Sequence, residues 1–132
     1  MKLEHIGIAV KDLGISNEIF EKLLGKAPYK EESVSSEGVK TSFFSVGESK
    51  VELVGSEKND SAIEKFLEKN REGIHHLAFG VDNLEIEIER LKNEGFIFIN
   101  ETPKLGADNK RIVFLHPKST NGVLVELCED VK

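Results

Sequence analysis

The sequence predicts an α+β domain made of two tandem βαβββ modules. Three observations carry that prediction. His5-Ile6-Gly7-Ile8-Ala9-Val10, an Asp-containing turn and a helix-like run recur as His76-Leu77-Ala78-Phe79-Gly80-Val81, a second Asp-containing turn and a second helix-like run. Lys50-Val51-Glu52-Leu53-Val54 recurs as Leu124-Val125-Glu126-Leu127-Cys128, each an apolar strand interrupted by one Glu. The spacing from His to Glu is 52 − 5 = 47 positions in the first half and 126 − 76 = 50 in the second. A repeat matched at both ends, in order, marks an internal duplication.

The elements follow in chain order. Leu3 to Val10 alternates apolar residues with a period of two, the pattern of a half-buried strand. Ser16 to Leu24 reads as a helix stopped by Gly25, a residue that tolerates the left-handed conformation at a helix end. Tyr29 to Ser35 and Val39 to Val46 read as strands joined by the turn signal Ser36-Glu37-Gly38. The Glu52 strand completes module one, about 1–55. A connector helix of about 61–70 presents Ile63, Phe66 and Leu67 on one face. In module two, about 73–132, the His76 strand leads into a helix over Glu85 to Glu94, stopped at Gly95. Phe96 to Asn100 and Arg111 to Leu115 are predicted strands flanking a loop from Pro103 to Lys110, and the Glu126 strand closes the module. The whole is read as one domain.

Composition narrows the function. With 132 residues and 39% hydrophobic content the chain can bury a core without disulfide support, and Cys128 is its single cysteine. A net charge of −6 argues against nucleic acid, which needs a basic field. No apolar run approaches the roughly 20 residues a membrane helix needs, and no signal-like segment opens the chain, so a cytoplasmic protein with no membrane partner is expected.

His5, Glu52, His76 and Glu126 each interrupt an apolar strand, where an ionisable side chain is costly unless it has a partner. A lone strand histidine is commonly a hydrogen-bonded structural residue, but the same pair recurring in register is not explained that way. If the modules pack with pseudo-two-fold symmetry the four converge. Two imidazoles and two carboxylates suit a divalent ion such as Mn, Co, Ni, Fe or Zn. Four protein ligands on an octahedral ion leave two positions for a reactant. His75 points to the other face of a regular strand. His116, in His-Pro-Lys, reads as a turn residue, and Cys128 as a small core residue sharing a face with Glu126.

Leu3-Glu4-His5-Ile6-Gly7-Ile8-Ala9-Val10, Gly73-Ile74-His75-His76, Pro103-Lys104-Leu105-Gly106 and Phe114-Leu115-His116-Pro117-Lys118, running on to Gly122-Val123-Leu124-Val125-Glu126-Leu127, give the chain a resemblance over essentially its whole length. It resembles the vicinal oxygen chelate (glyoxalase) superfamily, and within it the methylmalonyl-CoA epimerase family. The resemblance implies a glyoxalase-like cleft, metal ligands at His5, Glu52, His76 and Glu126, and a homodimer. It implies an acyl-CoA substrate whose (2R) and (2S) forms are interconverted by removing the C2 proton through a stabilised enolate. Glu126 is then one acid/base. Some epimerases carry a second, a Glu three places after the Gly matching Gly38; here that place holds Thr41, which is no base at neutral pH, and Glu37 is the nearby candidate. Lys104, Lys110, Arg111 and Lys118, the densest basic stretch, are expected to meet the CoA phosphates. Two other readings stand beside this one: a glyoxalase I-like lyase acting on a glutathione adduct, and a non-catalytic binder of the same fold. The four filled ligand positions count against the second.

Overall fold

In the computed structural model, which describes residues 1–132, eight strands and three α-helices follow one another as two versions of one plan. The first half runs β1 (Lys2–Ala9), α1 (Leu13–Leu24), β2 (Lys30–Val34), β3 (Val39–Val46) and β4 (Ser49–Ser56). Helix α2 (Ala62–Lys69) follows. The second half runs β5 (Gly73–Gly80), α3 (Leu84–Asn93), β6 (Lys104–Leu105), β7 (Lys110–Leu115) and β8 (Val125–Asp130), with a 3₁₀ turn at Pro117–Ser119. The chain divides into two compact units: His5–His75, and His76–Lys132 together with Met1–Glu4.

Within the first unit the strand order is β2-β3-β4-β1. β2, β3 and β4 are antiparallel neighbours, while β1 runs parallel to β4 with Gly7 opposite Glu52. The parallel pair needs a crossover, which α1 begins. Asp12 starts α1 by accepting the Ile15 amide at 2.9 Å, so the helix opens three residues before the predicted Ser16. Gly25, at φ 76°, ends it as expected. Leu13, Phe20 and Leu24 of α1 pack on Val10, Phe44 and Leu53, which fill one face of the strands.

The second unit repeats this, with order β5-β8-β7-β6 and β5 parallel to β8, Ala78 opposite Glu126. Asn83 caps α3 by accepting the Ile86 amide at 3.0 Å, and Gly95 sits at φ 91° just beyond its end. Leu84, Ile88 and Leu91 pack on Phe98, Val113, Leu115 and Leu127. Each helix therefore covers one strand face and leaves the other for chemistry.

One predicted strand is broken. Phe96 to Asn100 makes only an isolated bridge, Phe98 with Leu115, and the residues that do pair with β7 are Lys104 and Leu105, inside the expected loop. Between the Phe98–Leu115 bridge and the Lys104–Ile112 pair the register slips by three residues. The interruption has local causes: the Asn100 side chain accepts the Thr102 amide at 2.9 Å, turning the chain, and Pro103 has no amide to give to a ladder. Phe98 is nonetheless buried at 8% exposure, so its alternation with the exposed Ile97 and Ile99 is what resembled a strand.

Candidate metal centre

Side chains alternate across a strand, so the face opposite α1 carries His5, Glu52, Phe43 and Thr41. His5 and Glu52 are buried, at 4% and 6% exposure, and His5 Nε2 lies 3.3 Å from Glu52 Oε1. Phe43 stands opposite Glu52 on β3 and turns its ring edge-on to His5, with centroids 6.2 Å apart at 86°. Burying an imidazole and a carboxylate is tolerable here because each supplies the other with a partner.

The second unit builds the same cluster. His76 and Glu126 are buried at 5% and 6% exposure, with Nε2 and Oε1 3.6 Å apart. Phe114 stands opposite Glu126 on β7, its ring 6.1 Å from the His76 ring at 87°. In both units the Glu pairs with the residue two places after the His on a parallel strand, and a Phe pairs with the Glu on the antiparallel side. Ala78, Ile112, Phe114 and Cys128 form an apolar wall on this face of the second unit.

Phe43 and Phe114 escaped the sequence reading. They lie at different distances from their glutamates (nine and twelve positions) because the turns before β4 and β8 differ in length. The readable signal was a Phe in each strand preceding the Glu strand.

The family described as "Glyoxalase/Bleomycin resistance protein/Dioxygenase superfamily" matches residues 4–114. The chain belongs to the glyoxalase/bleomycin resistance/dioxygenase superfamily. Within that superfamily it is 40% identical over 129 residues to the mitochondrial methylmalonyl-CoA epimerase of Dictyostelium discoideum, covering 97% of this chain and 78% of that one. Among solved structures, methylmalonyl-CoA epimerase from Mycobacterium tuberculosis superposes with a TM-score of 0.94 at 35% identity, over 99% of this chain and 89% of that one. A single-substitution variant of the Streptomyces coelicolor methylmalonyl-CoA epimerase, solved in complex with 2-nitronate-propionyl-CoA, gives a TM-score of 0.94 at 32% identity over 99% of this chain and 95% of that one.

The remaining sequence candidates separate on this superfamily fold. His75 lies edge-on to Phe66 of α2, centroids 4.9 Å apart. His116 is the turn residue expected, its Nδ1 accepting the Lys118 amide at 3.1 Å. Cys128 is buried at 1% exposure, its thiol 3.6 Å from the Phe79 carbonyl. Glu37 is half-buried in the β2–β3 turn, its amide bonded to the Val34 carbonyl at 3.1 Å, beyond the last ladder pair.

Of the four basic residues, two are committed to carboxylates. Arg111 bonds Glu129 at 2.6 Å and also Glu85; both acids hold its guanidinium above its ordinary pKa, and Arg111 in turn holds the Glu85 carboxyl below the usual value. Lys110 bonds Asp130 and lies 3.9 Å from Glu4. Burial opposes its charge, but the Asp130 hydrogen bond and the fields of Glu4 and Asp130 outweigh that and raise its pKa. Lys110 also lines a cavity of about 290 Å³, whose other charged walls are Lys2, Glu4, Asp82 and Asp130. With three carboxylates among them, that cavity is a poor host for phosphate. Lys104 and Lys118 are exposed, and Lys104 stands opposite Ile112, on the face of Phe114 and Glu126.

Proposed function

We propose that this chain is a metal-dependent epimerase interconverting (2R)- and (2S)-methylmalonyl-CoA. The observation that carries the reading is its full-length similarity to methylmalonyl-CoA epimerases, at 40% identity to one of them. The duplicated His–Glu–Phe cluster supports it, and the donors fit a divalent cation: two imidazole nitrogens and two carboxylates, all buried. In this reading His5, Glu52, His76 and Glu126 hold one ion in a single catalytic domain. The ion supplies Lewis-acid stabilisation for negative charge developing on the thioester and carboxylate oxygens.

The protein's own groups do the rest. C2 lies between a thioester and a carboxylate, so breaking its C–H bond sends the electron pair into an enolate. Glu126 takes the proton on one face, and an acid on the other returns one to give the opposite configuration. The rings of Phe43 and Phe114 stand edge-on to His5 and His76 and help to fix the imidazole planes. Lys104 and Lys118 meet the CoA phosphates. Lys110 and Arg111, bound to acids, hold β7 in place or exchange partners when CoA arrives.

The same reading places the enzyme in the cytoplasm, as a homodimer; no helix is long and apolar enough to cross a membrane. Ile15, Ile19 and Leu23 form an exposed stripe on α1 that a second copy would cover, and sedimentation at twice the 14.7 kDa chain mass would support it. The deciding experiment is deuterium entry at C2 of methylmalonyl-CoA in D₂O, with metal-loaded and chelated protein side by side. Metal-dependent entry at an enzymic rate is expected. No entry with Co, Mn, Ni or Zn would overturn the reading, and a glutathione hemithioacetal would be tested next.

A further inference from the structure

Inversion needs a second proton-handling group, and Thr41 offers none. Glu37 lies in the turn, past the Val34–Val39 pair that ends the β2–β3 ladder. The register of β2, however, brings another carboxylate to the right face. Lys30 pairs with Phe43, and Phe43 with Glu52; one step along, Glu32 pairs with Thr41, and Thr41 with Val54. Directly paired residues share a face, so Glu32 stands on the side of Phe43, Glu52 and His5.

Its neighbour shows the contrast. Glu31 turns to the other side, where its carboxylate accepts from Asn17 of α1 at 3.3 Å and from Ser42 at 3.4 Å. Glu32 instead pairs with Lys30 at 3.3 Å, and its side chain is 29% exposed, enough to meet a ligand and enough shelter to be held in place. Two strand spacings and two residues separate Glu32 from Glu52, roughly 12 Å between Cα atoms.

We propose that Glu32 is the second acid/base of the reaction. It acts from β2, on the face it shares with its partner Thr41, and it belongs to the other module from Glu126. For one enantiomer the C2 proton passes to Glu32, the electron pair enters the enolate, and Glu126 returns a proton to the opposite face; for the other enantiomer the roles reverse. Lys30 orients the carboxylate.

This inference rests on the epimerase reading, and the test separates the two. Wild type and Glu32→Gln, both metal-loaded, are given each enantiomer of methylmalonyl-CoA in D₂O. Deuterium at C2 and inversion are followed separately, with substrate affinity and melting temperature measured in parallel. Loss of inversion by at least about 100-fold, with deuterium still entering the one enantiomer that Glu126 deprotonates and affinity and melting kept, supports the proposal. Inversion at a near wild-type rate overturns it while leaving the epimerase reading intact. So does equal loss of deuterium entry into both enantiomers, which would mark Glu32 as a positioning residue. Failure of the wild type itself would overturn the epimerase reading, and this proposal with it.

Discussion

If His5, Glu52, His76 and Glu126 grip a single ion, metal should stabilise the fold in a way that neither His–Glu pair can achieve alone. An ion that binds only the folded state adds about 2.7 kcal/mol at a hundredfold excess over its Kd. Unfolding entropy near 2.1 cal/mol/K per residue gives about 0.28 kcal/mol/K for 132 residues. The melting temperature should therefore rise by about 10 °C on adding such an excess to chelated protein. His5→Ala then removes one ligand and leaves Glu52 buried without its 3.3 Å partner, lowering the melting temperature of the metal-free protein. The informative quantity is the metal-induced rise within each variant. One shared ion predicts that His5→Ala and His76→Ala each abolish nearly all of it. Two independent ions, one per pair, predict that each variant keeps about half. Calorimetry with Co, Mn, Ni and Zn in turn reads this directly. Retention of half the rise, or a full rise in the doubly substituted protein, would refute the shared-ion reasoning.

Two further outcomes follow from the fold. Leu84 is fully buried against Ile88, Leu91, Val113 and Leu127, on the face away from Glu126, so Leu84→Ala should cost about 2–5 kcal/mol, lowering the melting temperature by about 7–18 °C, with the metal-induced rise unchanged; circular dichroism melts check both. Arg111→Gln removes the partner of Glu85. Because the folded-state pKa of Glu85 is lowered, its contribution is present above its unfolded value near 4.5 and is lost as pH falls through the folded one. The melting difference between wild type and variant should thus be complete at pH 7 and narrow below about pH 4.5; a difference that widens there would contradict the pairing.

The duplication was legible because its marks are local. A histidine or glutamate in an alternating apolar run declares a strand and an inward-facing donor together, and in each unit the His nitrogen lies within 3.6 Å of a Glu oxygen. The helix stops at Gly25 and Gly95 were equally plain, since positive φ favours glycine. The edge of the second unit was not legible: Phe96 to Asn100 alternates like a strand, yet the turn at Asn100 and the missing amide of Pro103 act on backbone pairing, which alternation does not report. The carboxylate partners of Lys110 and Arg111 were not legible either, because Glu4, Glu85, Glu129 and Asp130 are brought near only by the register of β7 with β8 and by folding of distant segments. Glu32 was hidden for the same reason, since only pairing with Thr41 assigns its face.

The broken strand also bears on how the molecule behaves in a crowd. The outermost strand of an open sheet presents unpaired amides and carbonyls, a template on which another chain can polymerise. In the second unit that position is held by β6, two residues long and preceded by Pro103, too short to seed such growth. In the first unit it is held by β2, whose Lys30-Glu31-Glu32 run makes any in-register neighbour bring like charges together. The slip that spoils the symmetry of the repeat is thus a safeguard against fibre formation, and restoring a continuous, uncharged strand there would be expected to lower solubility before it altered any chemistry.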